Sequence, residues 1–137
     1  MAGPIMYSTG IIDNRAPNPG TGRPVTNLVI RVENNETVAA SAEGVPIILI
    51  EVFNETPSGG GFGNQSTYSL NQFSLGDVNQ SASTFTLDNV FANLDNFGVR
   101  YTLTSTGSFI ISIPTVTVTG KNENGTIIAT YPLSAVT

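Results

Sequence analysis

Three residue types are missing from this 137-residue chain: cysteine, histidine and tryptophan. Without cysteine there is neither a disulfide framework nor a thiolate metal site, and the redox compartment leaves no mark on the sequence. Without histidine the commonest general base and the commonest neutral metal ligand are gone together. Any aromatic stacking platform has to rest on Tyr and Phe. Charge is scarce too: 11% of residues are charged, under half of the roughly 25% usual in soluble domains. The five basic residues, Arg15, Arg23, Arg31, Arg100 and Lys121, are scattered, and the net charge is −5. A nucleic-acid partner is therefore not expected, because phosphate binding needs clustered Lys and Arg. Long apolar runs are also lacking. The longest, Val45–Ile50 with Pro46 inside it, is far below the roughly 20 residues of a membrane helix. The N-terminus has no charged n-region, and Pro4, Ser8, Thr9 and Gly10 break its apolar residues, so it reads as no secretion signal.

What is present divides in two. Residues 1–25 carry Pro4, Pro17, Pro19, Pro24 and Gly3, Gly10, Gly20, Gly22, whereas from Thr26 onward β-branched alternation takes over. The expected organisation is an N-terminal connector arm with a Pro/Gly-rich spacer over residues 1–25 and a β-sandwich over 26–137. The strands expected are Asn27–Glu33, Ile47–Asn54, Tyr68–Leu75, Ser83–Leu87, Phe97–Thr104, Phe109–Thr119 and Thr126–Leu133. Pro114 inside the sixth of these points to an edge position or a bulge. Lys121–Gly125 ends in an Asn-Gly pair suited to a hairpin loop. Val90–Leu94 can form one helical turn. Seven to eight strands without a convincing helix make an all-β sandwich, either jelly-roll-like or an immunoglobulin-like Greek key.

Candidate sites are few. Asp88 and Asp95 flank a loop, and two carboxylates about 5–10 Å apart are what a glycosidase needs. Followed by Asn89 and Asn96, they read more simply as turn residues. The same loop lacks the alternating acidic run of a calcium site. Gly59–Gly63 has no Lys-Ser/Thr after it and reads as a loop rather than a phosphate cradle. The Asn-x-Ser/Thr triplets at Asn35, Asn54, Asn64, Asn79 and Asn124 are expected by chance in so Asn- and Thr-rich a chain. Tyr7, Tyr68, Tyr101 and Tyr131 are the candidates for a sugar-binding surface, with Tyr101 and Tyr131 reading as core or cross-strand residues. No catalytic residue, metal or cofactor is expected.

The arm is different. Ile5, Tyr7, Thr9 and Ile11 recur at intervals of two, which places their side chains on one face of an extended strand; Met6 and Ile12 occupy the alternate face. This strand either pairs with its own domain or adds to the edge of a neighbour by β-augmentation. Asp13–Pro24 reads as a stiff, extended spacer, able to reach on the order of 40 Å at about 3.3 Å per residue. Head-to-tail augmentation does not close on itself, so its natural product is a fibre.

The segments Asn27–Asn34 (NLVIRVEN), Leu49–Asn54 (LIEVFN), Tyr68–Leu75 (YSLNQFSL) and Val90–Phe97 (VFANLDNF) resemble small spore-surface proteins of Bacillus and related spore formers. They are similar in kind to the subunits of endospore appendages, particularly the F-type. The resemblance implies a jelly-roll subunit whose N-terminal connector polymerises it into a fibre on the exosporium. It implies as partners further copies of the chain, an exosporium anchor protein and a tip protein, and a spore-surface location reached without secretion. Other appendage types carry cross-linking cysteines near the N-terminus; this chain has none, so the implied assembly is non-covalent. The expected function is a self-assembling structural subunit, with Ile5, Met6, Tyr7, Ile11 and Ile12 as the assembly arm. The alternative is a monomeric binding module for a carbohydrate or a surface protein.

Overall fold

The computed structural model describes residues 5–33, 46–57, 63–74, 84–105 and 114–136. Within them the period-two pattern becomes structure directly. In β3 (Asn27–Glu33), Leu28, Ile30 and Val32 are buried while Arg31 is exposed. The chain order is then β1 (Ile5–Ser8), β2 (Ile12–Asp13), β3, β4 (Pro46–Pro57), β5 (Gly63–Ser74), β6 (Thr84–Phe91), β7 (Asn96–Ser105), β8 (Thr115–Lys121), β9 (Ile127–Tyr131) and β10 (Ser134–Ala135). Every pairing is antiparallel. The larger sheet has the order β10-β1-β7-β4-β5, with β2 also on β7, and the smaller one β6-β3-β8-β9. This is the all-β sandwich the alternation implies.

The core lies between the sheets. Ile48, Ile50 and Val52 of β4, Phe97, Val99, Tyr101 and Leu103 of β7, the inner residues of β3, and Val118 of β8 are all buried. Each such aliphatic or aromatic side chain contributes roughly 1.5–3 kcal/mol relative to exposure. Phe73 and Phe85 stack at 4.5 Å across one side of the sandwich, and Phe97 meets Tyr131 edge-on at 5.7 Å.

Local features depart from the sequence pattern for identifiable reasons. Among the described residues there are ten strands rather than seven or eight, because the dipeptides of β2 and β10 each add a short strand. Val90 and Phe91 end β6, and the chain passes through irregular Ala92 and Asn93 to a bend at Leu94 and Asp95, not a helical turn. Asp88 and Asn89 do not end a strand. They sit inside β6 where the register against β3 shifts between Leu28 and Ile30, and Asn89 takes the left-handed φ of 56° that Asn tolerates. Pro114 is neither inside a strand nor at an edge. It is buried directly before β8, which runs between β3 and β9, so its missing N–H removes no ladder bond. The expected residues 109–113 of that strand, Leu75, Ser83 and most of Gly59–Gly63 lie outside the described residues.

Candidate assembly site

The N-terminal segment is seated in the large sheet of its own chain. β1 runs antiparallel to β7 with the pairs Ile5↔Leu103, Met6↔Thr102, Tyr7↔Tyr101 and Ser8↔Arg100, and β2 continues with Ile12↔Phe97 and Asp13↔Asn96. Between them three residues, Thr9, Gly10 and Ile11, face only Gly98 and Val99, which makes a bulge. The Thr9 N–H donates to the Val99 carbonyl at 2.9 Å, and the Thr9 hydroxyl accepts the Val99 N–H at 3.0 Å. Gly10 turns the chain with a φ of 73°.

The bulge decides which arm residues face inward. Ile5 and Tyr7 pack against the core, and so does Ile12, whereas Ile11 is 41% exposed. The expected single face of Ile5, Tyr7 and Ile11 is therefore corrected: the extra residue shifts the parity, and Ile12 replaces Ile11. Met6 is half-buried, opposite Thr102. Tyr7 stacks on Tyr101 with ring centroids 5.1 Å apart and planes within 13°. Tyr101 is 4% exposed, and burial, reinforced by the charge that Tyr7 would carry, pushes its phenol up to about 12.

On its other side β1 meets β10, with Tyr7 opposite Ala135 and Ser8 opposite Ser134, and the Val136 N–H donates to the Met6 carbonyl at 2.9 Å. The seat is therefore a slot between β7 and β10. Its outer side is built around Arg100, whose guanidinium lies over the Phe53 ring at 4.9 Å and pairs with Glu51 at 3.0 Å. Arg100, helped by the Thr67 hydroxyl, holds the Glu51 carboxyl below its ordinary range. Gly98 is required here: a Cβ would lie 2.5 Å from Phe53 Cζ and 2.7 Å from the Gly10 carbonyl oxygen.

The segment after β2 is not an extended spacer. Asn14, 2% exposed, directs Nδ2 to the carbonyls of Val25, Ala92 and Leu94 at 2.8, 3.0 and 3.0 Å, and its Oδ1 accepts the Val25 N–H at 2.9 Å. Its own N–H donates to the Asp95 carbonyl at 2.7 Å. Residues 14–25 thus form a loop closed at its base, and Val25, placed by the sequence at the end of the arm, is a core residue at 2% exposure. In the single chain, arm and sandwich form one unit. Asn14 carried no sequence signal beyond its resemblance to any other turn residue in a Pro-rich stretch.

The remaining candidates are dispersed. Asp95 pairs with Arg23 at 2.9 Å and Asp88 with Lys121 at 3.6 Å, so each carboxylate faces its own cation on a different element. Beside Asp95 an open cleft of about 340 Å³ is lined by Ile11, Asp13, Arg15, Asp95 and Asn96. Its polar groups are already engaged. Asp13 pairs with Arg15, which holds its carboxyl below the usual range, and the Asn96 amide bonds the Glu55 backbone in both directions. Nor do the four tyrosines share a surface. Tyr7 and Tyr101 stack on each other, Tyr131 abuts Phe97, and Tyr68, on β5, donates its hydroxyl to the Phe91 carbonyl at 2.6 Å. Comparison with family models, with curated proteins and with solved structures finds no match for this chain.

Proposed function

We propose that the chain is a non-enzymatic structural subunit that assembles head to tail, without covalent links, into a spore-surface fibre, each copy lending its N-terminal strand to the sheet of the next. The observation that supports this reading is the seat of β1. A short strand fills a slot between β7 and β10 and is joined to the rest of the fold through a bulge at Gly10. A neighbour's β1 in the same slot would make the contacts the chain's own β1 makes, with Ile5 and Tyr7 inward and Met6 outward. Closed and exchanged states then differ little in contacts, and protein concentration sets the balance between them. Asn14 stays with its own domain, and residues 9–13, released from β7, span about 16 Å between it and the exchanged β1. Passed from each copy to the next without closing, such exchange yields a fibre. The spore-surface setting, an exosporium anchor protein and a tip protein rest on the resemblance of the sequence segments alone.

The absence of cysteine makes the test clean. Met6 and Thr102 are directly opposite, and opposed residues in antiparallel strands are close enough for a disulfide. In a Met6→Cys, Thr102→Cys variant oxidised after concentration, exchange gives a ladder of covalent multiples of 14.4 kDa on a denaturing gel, accompanied by filaments in electron micrographs. A cross-linked product confined to the single-chain mass would show that β1 belongs permanently to its own sheet and would refute the assembly reading.

A further inference from the structure

The large sheet ends at β10 on one side and at β5 on the other. Edge strands expose unpaired N–H and C=O groups, and proteins usually blunt them by shortness, charge, proline or a bulge. β9 has five residues and β10 two, while β6 carries Asp88 and the bulge at Asn89. β5 has twelve residues, GNQSTYSLNQFS, without a charge or a proline, and no described residue pairs with its outer side. Its one such device is a register shift at Tyr68; from Ser69 to Ser74 its pairing with β4 is unbroken. In that stretch Leu70 is 62% exposed, the highest value among the large apolar side chains described. Phe91, 52% exposed, stands at the same margin, its ring 6.4 Å from that of Tyr68.

We propose that the β5 edge is a second self-association surface, at which two copies pair antiparallel and continue the large sheet from one subunit into the other. Three features select a copy of this chain as the occupant. An antiparallel strand is the ligand that satisfies a row of alternating donors and acceptors. The edge is uncharged in a chain of net charge −5, so two copies meet there without placing like charges opposite each other, whereas a strongly charged partner finds no complement. One edge serves both copies about a two-fold axis, and that axis keeps outward residues opposite outward residues, bringing Leu70 against the copy's Leu70 or Gln72. β1 and β5 lie on opposite sides of β7 and β4. The pairing therefore leaves the exchange seat free, and in a fibre it joins two strands of subunits side by side.

The test does not depend on strand exchange. In Met6→Cys, Thr102→Cys protein oxidised while dilute, every chain is locked closed, and sedimentation of the concentrated sample is expected to give the mass of two 14.4 kDa chains. Leu70→Lys in that background places like charges at the joint, and is expected to weaken dimerisation by at least about tenfold with an unchanged circular dichroism spectrum. Separately, in otherwise unaltered chains, a single cysteine at Leu70 (Leu70 facing Leu70) or at Asn71 (Leu70 facing Gln72), whichever lies on the axis, is expected to form an interchain disulfide with mild oxidant, and one at Ile127 on β9 is not. A monomer at every concentration, a dimer indifferent to Leu70→Lys, or equal cross-linking at Ile127 would overturn the proposal.

Discussion

β7 has a neighbour on each flank, and the two are built differently. β4 lies along it without interruption from Pro46↔Ser105 to Phe53↔Gly98, with Ile48, Ile50 and Val52 fully buried. The N-terminal segment covers the other flank in two pieces, four pairs and then two, parted by the bulge, and its side chains are only partly buried. Both flanks satisfy the backbone of β7. Only the first is bound to it by a continuous apolar face. In the proposed assembly the first flank is permanent and the second exchangeable, and what separates the two is burial and continuity more than hydrogen bonding, since each net hydrogen bond contributes only about 1 kcal/mol.

The largest effect that sharpens this contrast is on the permanent flank. Ile50→Ala removes a fully buried side chain facing the other sheet, and is expected to cost about 2–5 kcal/mol. The midpoint of urea unfolding falls accordingly, whatever the assembly state. Tyr7→Ala on the N-terminal flank is expected to cost less, because its ring is partly exposed, while abolishing the proposed filaments. Equal losses at the two positions would erase the distinction between the flanks.

How far the sequence foretold this contrast follows from what each flank is made of. β3 was legible to the residue, and β4 and β7 nearly so, because apolar alternation over seven or more positions has one register that buries it. The N-terminal segment has too few residues to fix its own register. Ile11 and Ile12 are adjacent, so each parity had a candidate, and the choice between them is made by Gly10 and by Gly98 on another strand. The Pro-rich stretch looked extended because proline stiffness is visible in sequence. The closure of residues 14–25 was not, because it depends on the one side chain of Asn14 reaching carbonyls about 80 residues away. Asn89 reads in the sequence as a turn residue, but a turn and a bulge ask the same of it, and pairing with β3 selects the bulge. The β5 edge was hidden for a related reason: no local pattern states whether a strand has one neighbour or two.

A second, smaller effect comes from alkali. Burial and the neighbouring Tyr7 raise the Tyr101 phenol to about 12, against about 10 in an unfolded chain. The folded state therefore holds the proton more tightly. The corresponding stability is fully present below pH 10 and is lost as pH rises through 12, a drop of at most about 3 kcal/mol for two units. Burial raises Tyr68 in the same direction, also to about 12. Ultraviolet titration of tyrosinate is expected to show late-ionising phenols, and Tyr7→Phe, which removes the neighbouring charge, is expected to bring the Tyr101 transition slightly earlier. All four phenols titrating together near 10 would contradict the stacked, buried pair.

The smallest expected effect isolates the bulge itself. Ile11 and Ile12 are chemically identical and adjacent, and a regular strand from Ile5 would bury Ile11 and expose Ile12. The extra residue at Thr9–Ile11 reverses this, placing Ile12 opposite Phe97 against the core and leaving Ile11 at the rim of the open cleft. Ile12→Ala is accordingly expected to cost about 1–2 kcal/mol, since its side chain is only partly buried, and Ile11→Ala less than about 0.5 kcal/mol. The comparison is made on paired urea curves with equal slopes, so that the difference in midpoints reads directly as a difference in stability. If Ile11→Ala proved the costlier of the two, the bulge would not persist in solution, and the N-terminal segment would lie on β7 as one regular strand with its parity unbroken.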